Sequence, residues 1–174
     1  MTITSTDPQP HFRRPLVAPP SRAGARLPTK AAPETAPIVV AVDGSTAALV
    51  AARAGVRLAR DLGAPLVFVY VRRGPSAALG EPYYQRRLDA EMRAGRRALN
   101  DALAIAERAG VAATGEELAG RPAQRVVEFA RLRDARLLVL GSRRRRLGRS
   151  VSRHVIRGAD RPVLVAGRLA PVPA

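Results

Sequence analysis

Short apolar runs alternate with longer amphipathic stretches along most of the chain. Ile38-Val-Val-Ala-Val42 is unbroken and largely β-branched, the pattern of a strand buried on both faces. Asp43-Gly44-Ser45 interrupts it, and Ser45 is placed to cap a helix running to about Leu62. In that helix Leu49, Ala52, Val56 and Ala59 share one face, and Gly63 stands where a left-handed C′ residue belongs. Pro65 to Val71 repeats the buried-strand pattern, and a Gly/Pro/Ser loop from Arg72 to Glu81 leads into a long helix over about Tyr83 to Ala109. Its apolar face is Leu88, Met92, Leu99, Leu103 and Ala106, and Gly110 ends it. Val111 to Leu118 is a weaker strand, broken by Gly115. Pro122 opens a helix that ends near Leu132, with Val126, Val127, Phe129 and Ala130 facing inward. Ala135 to Leu140 reads as a strand, Ser150 to Gly158 as a short helix and Pro162 to Ala166 as the last strand.

Strands separated by helices require crossover connections, so the pattern predicts an α/β fold: an open, parallel five-stranded sheet with helices on both faces. Such sheets bind ligands at the carboxyl ends of their strands, where the strand order reverses. The loops after Val42, Val71 and Leu140 are therefore the places to look for function.

Composition changes this picture at the ends and in the charge. Eight of the 15 prolines fall within the first 37 residues, among Ser, Thr and Arg. A stretch without donors or hydrophobic periodicity is expected to form a disordered tail over 1–36. The folded domain is expected over 37–168 and a flexible C-terminus over 169–174. There is no cysteine, which excludes disulfides, thiolate metal sites and cysteine nucleophiles together. His11 and His154 are too far apart in sequence to indicate a metal site. No apolar run approaches the ~20 residues of a membrane span. Arg13-Arg14 is followed at once by a proline-broken segment, unlike an export signal. The cytoplasm is the expected compartment. The formal charge is +16, and since Lys30 is the one lysine among 30 basic residues, 29 are arginine. Such a field attracts nucleotides, nucleic acid or acidic partners, and solvated surface charge is the ordinary reading of it.

Three segments together resemble the universal stress protein family. Ile38 to Ser45 looks like the family's opening strand and aspartate turn. Gly120-Arg-Pro-Ala, followed by Ala135 to Arg143, is similar to its Gly-x-Pro helix start and its strand ending in Gly-Ser-Arg. Ser150-Val151-Ser152 with Ala159 to Val165 resembles the closing helix and strand. The resemblance implies a Rossmann-like architecture over about residues 37–168, ATP as a possible ligand and a homodimer formed through the last strand, 162–166. It matches Asp43 to the aspartate that contacts adenine, and a carboxylate facing an exocyclic amine suits that task; an Asx turn explains the same residue. It matches Ala41 and Val71 to the positions framing the ring, where strand core is the ordinary alternative.

On the phosphate side the chain departs from the family's Gly-x2-Gly-x9-Gly-(Ser/Thr) loop. Its glycines give the backbone the freedom to turn N–H groups toward phosphate oxygens. Gly141 and Ser142 match its start and Ser150-Val151 its end. The second glycine falls at Arg144 and the third at Arg149, so the first-to-last spacing is 149 − 141 = 8 instead of 13, about five residues short. Arg143-Arg144-Arg145-Arg146 fills the gap. Arg143 and Arg144 could grip phosphate through their guanidinium forks; a nucleic-acid or acidic-partner patch is another reading of the run, and a solvated loop is the ordinary one.

Neither a P-loop, nor a dinucleotide Gly-x-Gly-x-x-Gly fingerprint, nor an obvious catalytic triad is present. The expectation is a non-enzymatic nucleotide-binding or sensing module of the stress response. An interaction protein of the same fold that does not bind ATP is the first alternative. Binding of nucleic acid by the basic surface is the second, weakened by a total of six Phe and Tyr residues and no Trp for base stacking.

Overall fold

In the computed structural model, residues 36–75, 80–142 and 151–167 are described. The terminal segments 1–35 and 168–174 lie outside them, as do 76–79 and the arginine-rich stretch 143–150. The elements are β1 Ile38–Val42, α1 Thr46–Leu62, β2 Leu66–Arg72, α2 Tyr83–Arg108 and β3 Ala113–Ala119, then α3 Pro122–Leu132, β4 Leu137–Gly141, α4 Val151–Gly158 and β5 Val163–Ala166. All five strands form one sheet in the order β3-β2-β1-β4-β5, and every pair is parallel. Ala36, just ahead of β1, is buried at 2% exposure, and the Pro37 carbonyl accepts from the Arg136 amide.

Local chemistry sets the boundaries. Ser45 accepts the Ala48 amide through Oγ at 3.2 Å and so caps α1, while Gly63 ends it at φ 58°. Pro122 occupies the first turn of α3, where a missing N–H costs nothing. The Pro65 carbonyl instead accepts from Ile38, starting the β1–β2 ladder one residue ahead of Leu66. β3 begins two residues later than the apolar pattern indicates, because the Val111 amide is still bonded to Ala106 in the turn that ends α2.

Residues alternate between two layers, as the period of a strand requires. Ile38, Val40, Val42, Leu66 and Phe68 face α1 and α2. Val39, Val67, Val69, Leu138 and Leu140 face α3 and α4. Helices move from one face to the other where the chain, having built β1, β2 and β3 outward, returns to place β4 on the far side of β1. That reversal puts the topological switch point between β1 and β4.

The inward faces of the helices differ from the leucine-centred reading. On α2 the fully buried residues are Gly95, Ala98, Ala102 and Ala106, whereas Leu99 and Leu103 are half-buried against the same cluster. On α1 they are Ala48, Ala51, Ala52, Gly55, Val56 and Ala59. Small residues let the helix backbones approach the sheet closely, and the longer side chains splay to the flanks of the contact. Gly115, which breaks the apolar pattern of β3, lies under those flanks: a Cβ there would sit 3.4 Å from Leu103 Cδ1 and 3.5 Å from Leu99 Cδ2.

Candidate functional site

The carboxyl ends of β1, β2 and β4 bring together the described residues of the expected site. Ala41 and Val71 both pack against the α3/α4 layer, on neighbouring strands and half-buried. Asp43 follows β1 and is exposed; its Oδ1 accepts the Ser45 amide at 3.0 Å. This is an Asx turn that leads the chain into the α1 cap. A carboxylate offers about four lone-pair sites, so the turn bond and a ligand amine can be accepted together.

Gly141 ends β4, and Ser142 continues the ladder by donating its amide to the Ala166 carbonyl at 2.8 Å. Gly141 does not adopt the left-handed conformation expected of a phosphate-loop glycine. It is glycine for a packing reason: a Cβ there would lie 2.4 Å from the Ala47 carbonyl oxygen and 2.9 Å from the Ala48 amide nitrogen. The first turn of α1 presses directly on this point of β4.

Val151 opens α4 and packs half-buried on the same layer as Ala41 and Val71. The adjacent Ser152, which no site expectation included, donates its Oγ–H to the Gly141 carbonyl at 3.2 Å. That bond ties the start of α4 to the end of β4 across the arginine-rich connection. The Ser-Val-Ser run signals a helix start, but nothing in it specifies which serine turns back to the strand. Ser150, Arg143 and Arg144 lie outside the described residues.

The electrostatics of the site divide by face. Tyr70, near the end of β2 on the α2 side, has its phenol pushed above the ordinary tyrosine value by burial, and then by the carboxylates of Glu91, Glu117 and Asp43. Glu117 is paired with Arg72 at 3.2 Å, and Glu91 accepts the Gly74 amide at 2.9 Å. On the α3/α4 side the same edge carries Arg73 and Arg121, and α3 begins there with no side-chain cap and no acidic residue in its first turn. A helix start of that kind favours anions. Among the described residues no group of three or more His, Cys, Asp or Glu side chains could hold a metal ion, and no helix is long and apolar enough to cross a membrane.

Comparison with known proteins places this geometry. The universal stress protein family profile matches residues 35–167. A universal stress protein of Methanocaldococcus jannaschii is 34% identical over 135 residues, 74% of this chain and 79% of that protein. The crystal structure of a universal stress protein family member from Burkholderia pseudomallei is 34% identical, with a TM-score of 0.64 over 82% of this chain and 98% of that one. The universal stress protein of Archaeoglobus fulgidus, solved in complex with dAMP, is 30% identical, with a TM-score of 0.62 over 75% of this chain and 97% of that one. Element order, sheet topology and these matches agree, and the chain belongs to the universal stress protein family.

Proposed function

We propose that this chain binds an adenine nucleotide, with ATP the first to test, in the crevice between the carboxyl ends of β1 and β4, as a non-enzymatic module of the cytoplasmic stress response. The observation that carries the reading is the convergence of Asp43, Ala41, Val71, Gly141, Ser142 and Val151 on the switch point of the sheet, where open α/β folds take their ligands. The dAMP-bound relative supports it. In this reading Ala41 and Val71 form an apolar wall for the base and Asp43 accepts its exocyclic amine. Ser150 and Val151 open the helix that faces the phosphates, and Arg143 and Arg144 contribute guanidinium groups.

The test uses isothermal titration of ATP and AMP into the full chain and into Asp43→Asn. Asparagine keeps an oxygen for the Ser45 amide and so preserves the turn, while replacing the second carboxylate oxygen with a donor. Micromolar binding by the parent, weakened about tenfold or more in the variant, is the expected result, since a charged acceptor bond contributes about 1.5–3 kcal/mol. Absence of nucleotide binding in the parent, and of adenine nucleotide in acid extracts of the purified protein, would refute the proposal.

A second reading is favoured by one specific observation. β5 is an edge strand of four residues whose Leu164 and Val165 are 39% and 38% exposed. An apolar edge left open is a template for another strand, which supports a homodimer joined through 162–166 that acts by protein contact with or without nucleotide. Leu164→Glu should convert a dimer to a monomer in sedimentation velocity. A parent that is monomeric throughout the micromolar range would dispose of this reading.

A further inference from the structure

A groove of about 1330 Å³ runs between α3 and α4, outside the nucleotide crevice. Of the described crevice residues, Val151 also lines it, whereas Ala41, Asp43, Val71, Gly141 and Ser142 do not. The groove extends from Arg73 and Arg121 at the sheet's carboxyl edge to Arg131 and Gly158 at the far ends of the two helices. Along α3 that is about 15 Å. The volume exceeds the ~300–1,000 Å³ of pockets built for small molecules and suits an extended occupant.

Its lining is basic and partly apolar. Arg125 is spent on Glu128, at 2.6 Å, and its Nε is buried with no hydrogen-bond partner among the described residues. Arg131 lies close enough to Asp160 to help hold that carboxyl below its ordinary value, after the larger effect of Arg161. Arg73 and Arg121 have no ion-pair partner among the described residues, and they flank the uncapped start of α3. Between these charges the surface is Pro122, Ala123, Val127 and Val151, and the imidazole of His154 is the one ring among the described lining residues. Single-stranded nucleic acid is held largely by stacking successive bases on rings, and one imidazole against an aliphatic floor favours a peptide over that partner. Arginines around an aliphatic floor match carboxylates interspersed with aliphatic side chains.

We infer that the α3–α4 groove is a docking site for an acidic peptide segment of a partner protein, one that carries Asp or Glu beside Leu, Val or Ala. The carboxylates meet Arg73 and Arg121 at the carboxyl edge, where both helices begin, and the aliphatic side chains lie on Val127 and Val151. The nucleotide crevice opens at the same end, so the two sites share only the first turn of α4.

Fluorescence anisotropy tests this with the full-length protein and three labelled probes. These are a peptide of Glu, Asp, Leu and Ala of about 12 residues, long enough to run the groove as a helix, a scrambled-charge peptide with Lys in place of half its acids, and an oligouridylate of equal charge. The acidic peptide is expected to bind, with affinity falling about tenfold in Arg121→Glu and again when Arg73→Gln is added, and falling with salt. Arg121→Glu places a carboxylate at the start of α3, which stabilises a helix, so a loss of binding there cannot be assigned to unfolding; circular dichroism confirms it. Three results overturn the inference: no binding of the acidic peptide, equal binding in parent and both variants, or tighter binding of the oligouridylate.

Discussion

The two faces of the sheet are packed by different means. On the α1/α2 face the helices approach through glycine and alanine until no space remains. A Cβ on Gly55 would lie 2.4 Å from Val40 Cγ2, and one on Gly95 would lie 2.7 Å from Tyr70 Cδ1. On the α3/α4 face the contacts come from Val126, Phe129, Ala130 and Val155. The helices there have 11 and 8 residues, against 17 and 26 on the other side, and a groove runs between them. Gly158 on this face has nothing within 4 Å of its added Cβ position. The difference teaches where the described residues leave space. The tight face spends its volume on holding the sheet, and the looser face leaves a groove that Val127 and Val151 help to line.

The sharpest way to break that contrast is at the point where the tight face reaches the site. Gly141→Val would drive two γ-methyls toward backbone atoms of Ala47 and Ala48, which cannot swing aside as a side chain can. The first turn of α1 has to move, taking the Ser45 cap with it. We expect a loss above about 3 kcal/mol, at or beyond the usual limit for overpacking, and little folded protein at 37 °C. Urea unfolding followed by circular dichroism measures it; a loss below about 1 kcal/mol would show that α1 is not pressed on β4. Gly55→Ala is the milder version. The clashing atom is a methyl of Val40, whose β-branched side chain has few other rotamers, so we expect a loss of about 2 kcal/mol by the same measurement.

These glycines also mark how far the fold and the site are legible from residues alone. β1, β2 and β4 stand out because strands buried on both faces must be continuous apolar runs, and Ser45, Gly63 and Pro122 punctuate the helices by rules that act within a few residues. Every such signal is local. Gly55 and Gly95 sit in mid-helix, where glycine reads only as a weak helix former, and their reason lies across the layer in Val40 and Tyr70. Gly141 stands out in the sequence as a motif glycine, which implies a special backbone turn, whereas in the structure it answers to the distance of a neighbouring helix. The Ser152 bond to Gly141 and the placement of Arg73 beside Arg121 are likewise tertiary, joining residues 11 and 48 positions apart. Arg161 belongs with them. It donates to the Ala135 carbonyl at 2.7 Å and pairs with Asp160 at 2.9 Å, yet by composition it is one arginine among 29.

The smallest effect tests the looser face from the opposite direction. Gly158 closes α4, and an alanine there would meet no atom within 4 Å. Glycine costs about 0.5–1 kcal/mol relative to alanine inside a helix, and less at the last position, where the turn is already half outside. Gly158→Ala should therefore stabilise the domain by a few tenths of a kcal/mol, raising Tm by roughly 1–2 °C for a chain of this size. Scanning calorimetry at two protein concentrations reads this and also probes the space itself. If the groove is open in the free protein, the gain is the same at both concentrations. A loss that deepens as the concentration rises would mean that a second copy of the chain already fills that end of the groove, and the looser face would then be one half of an interface between copies.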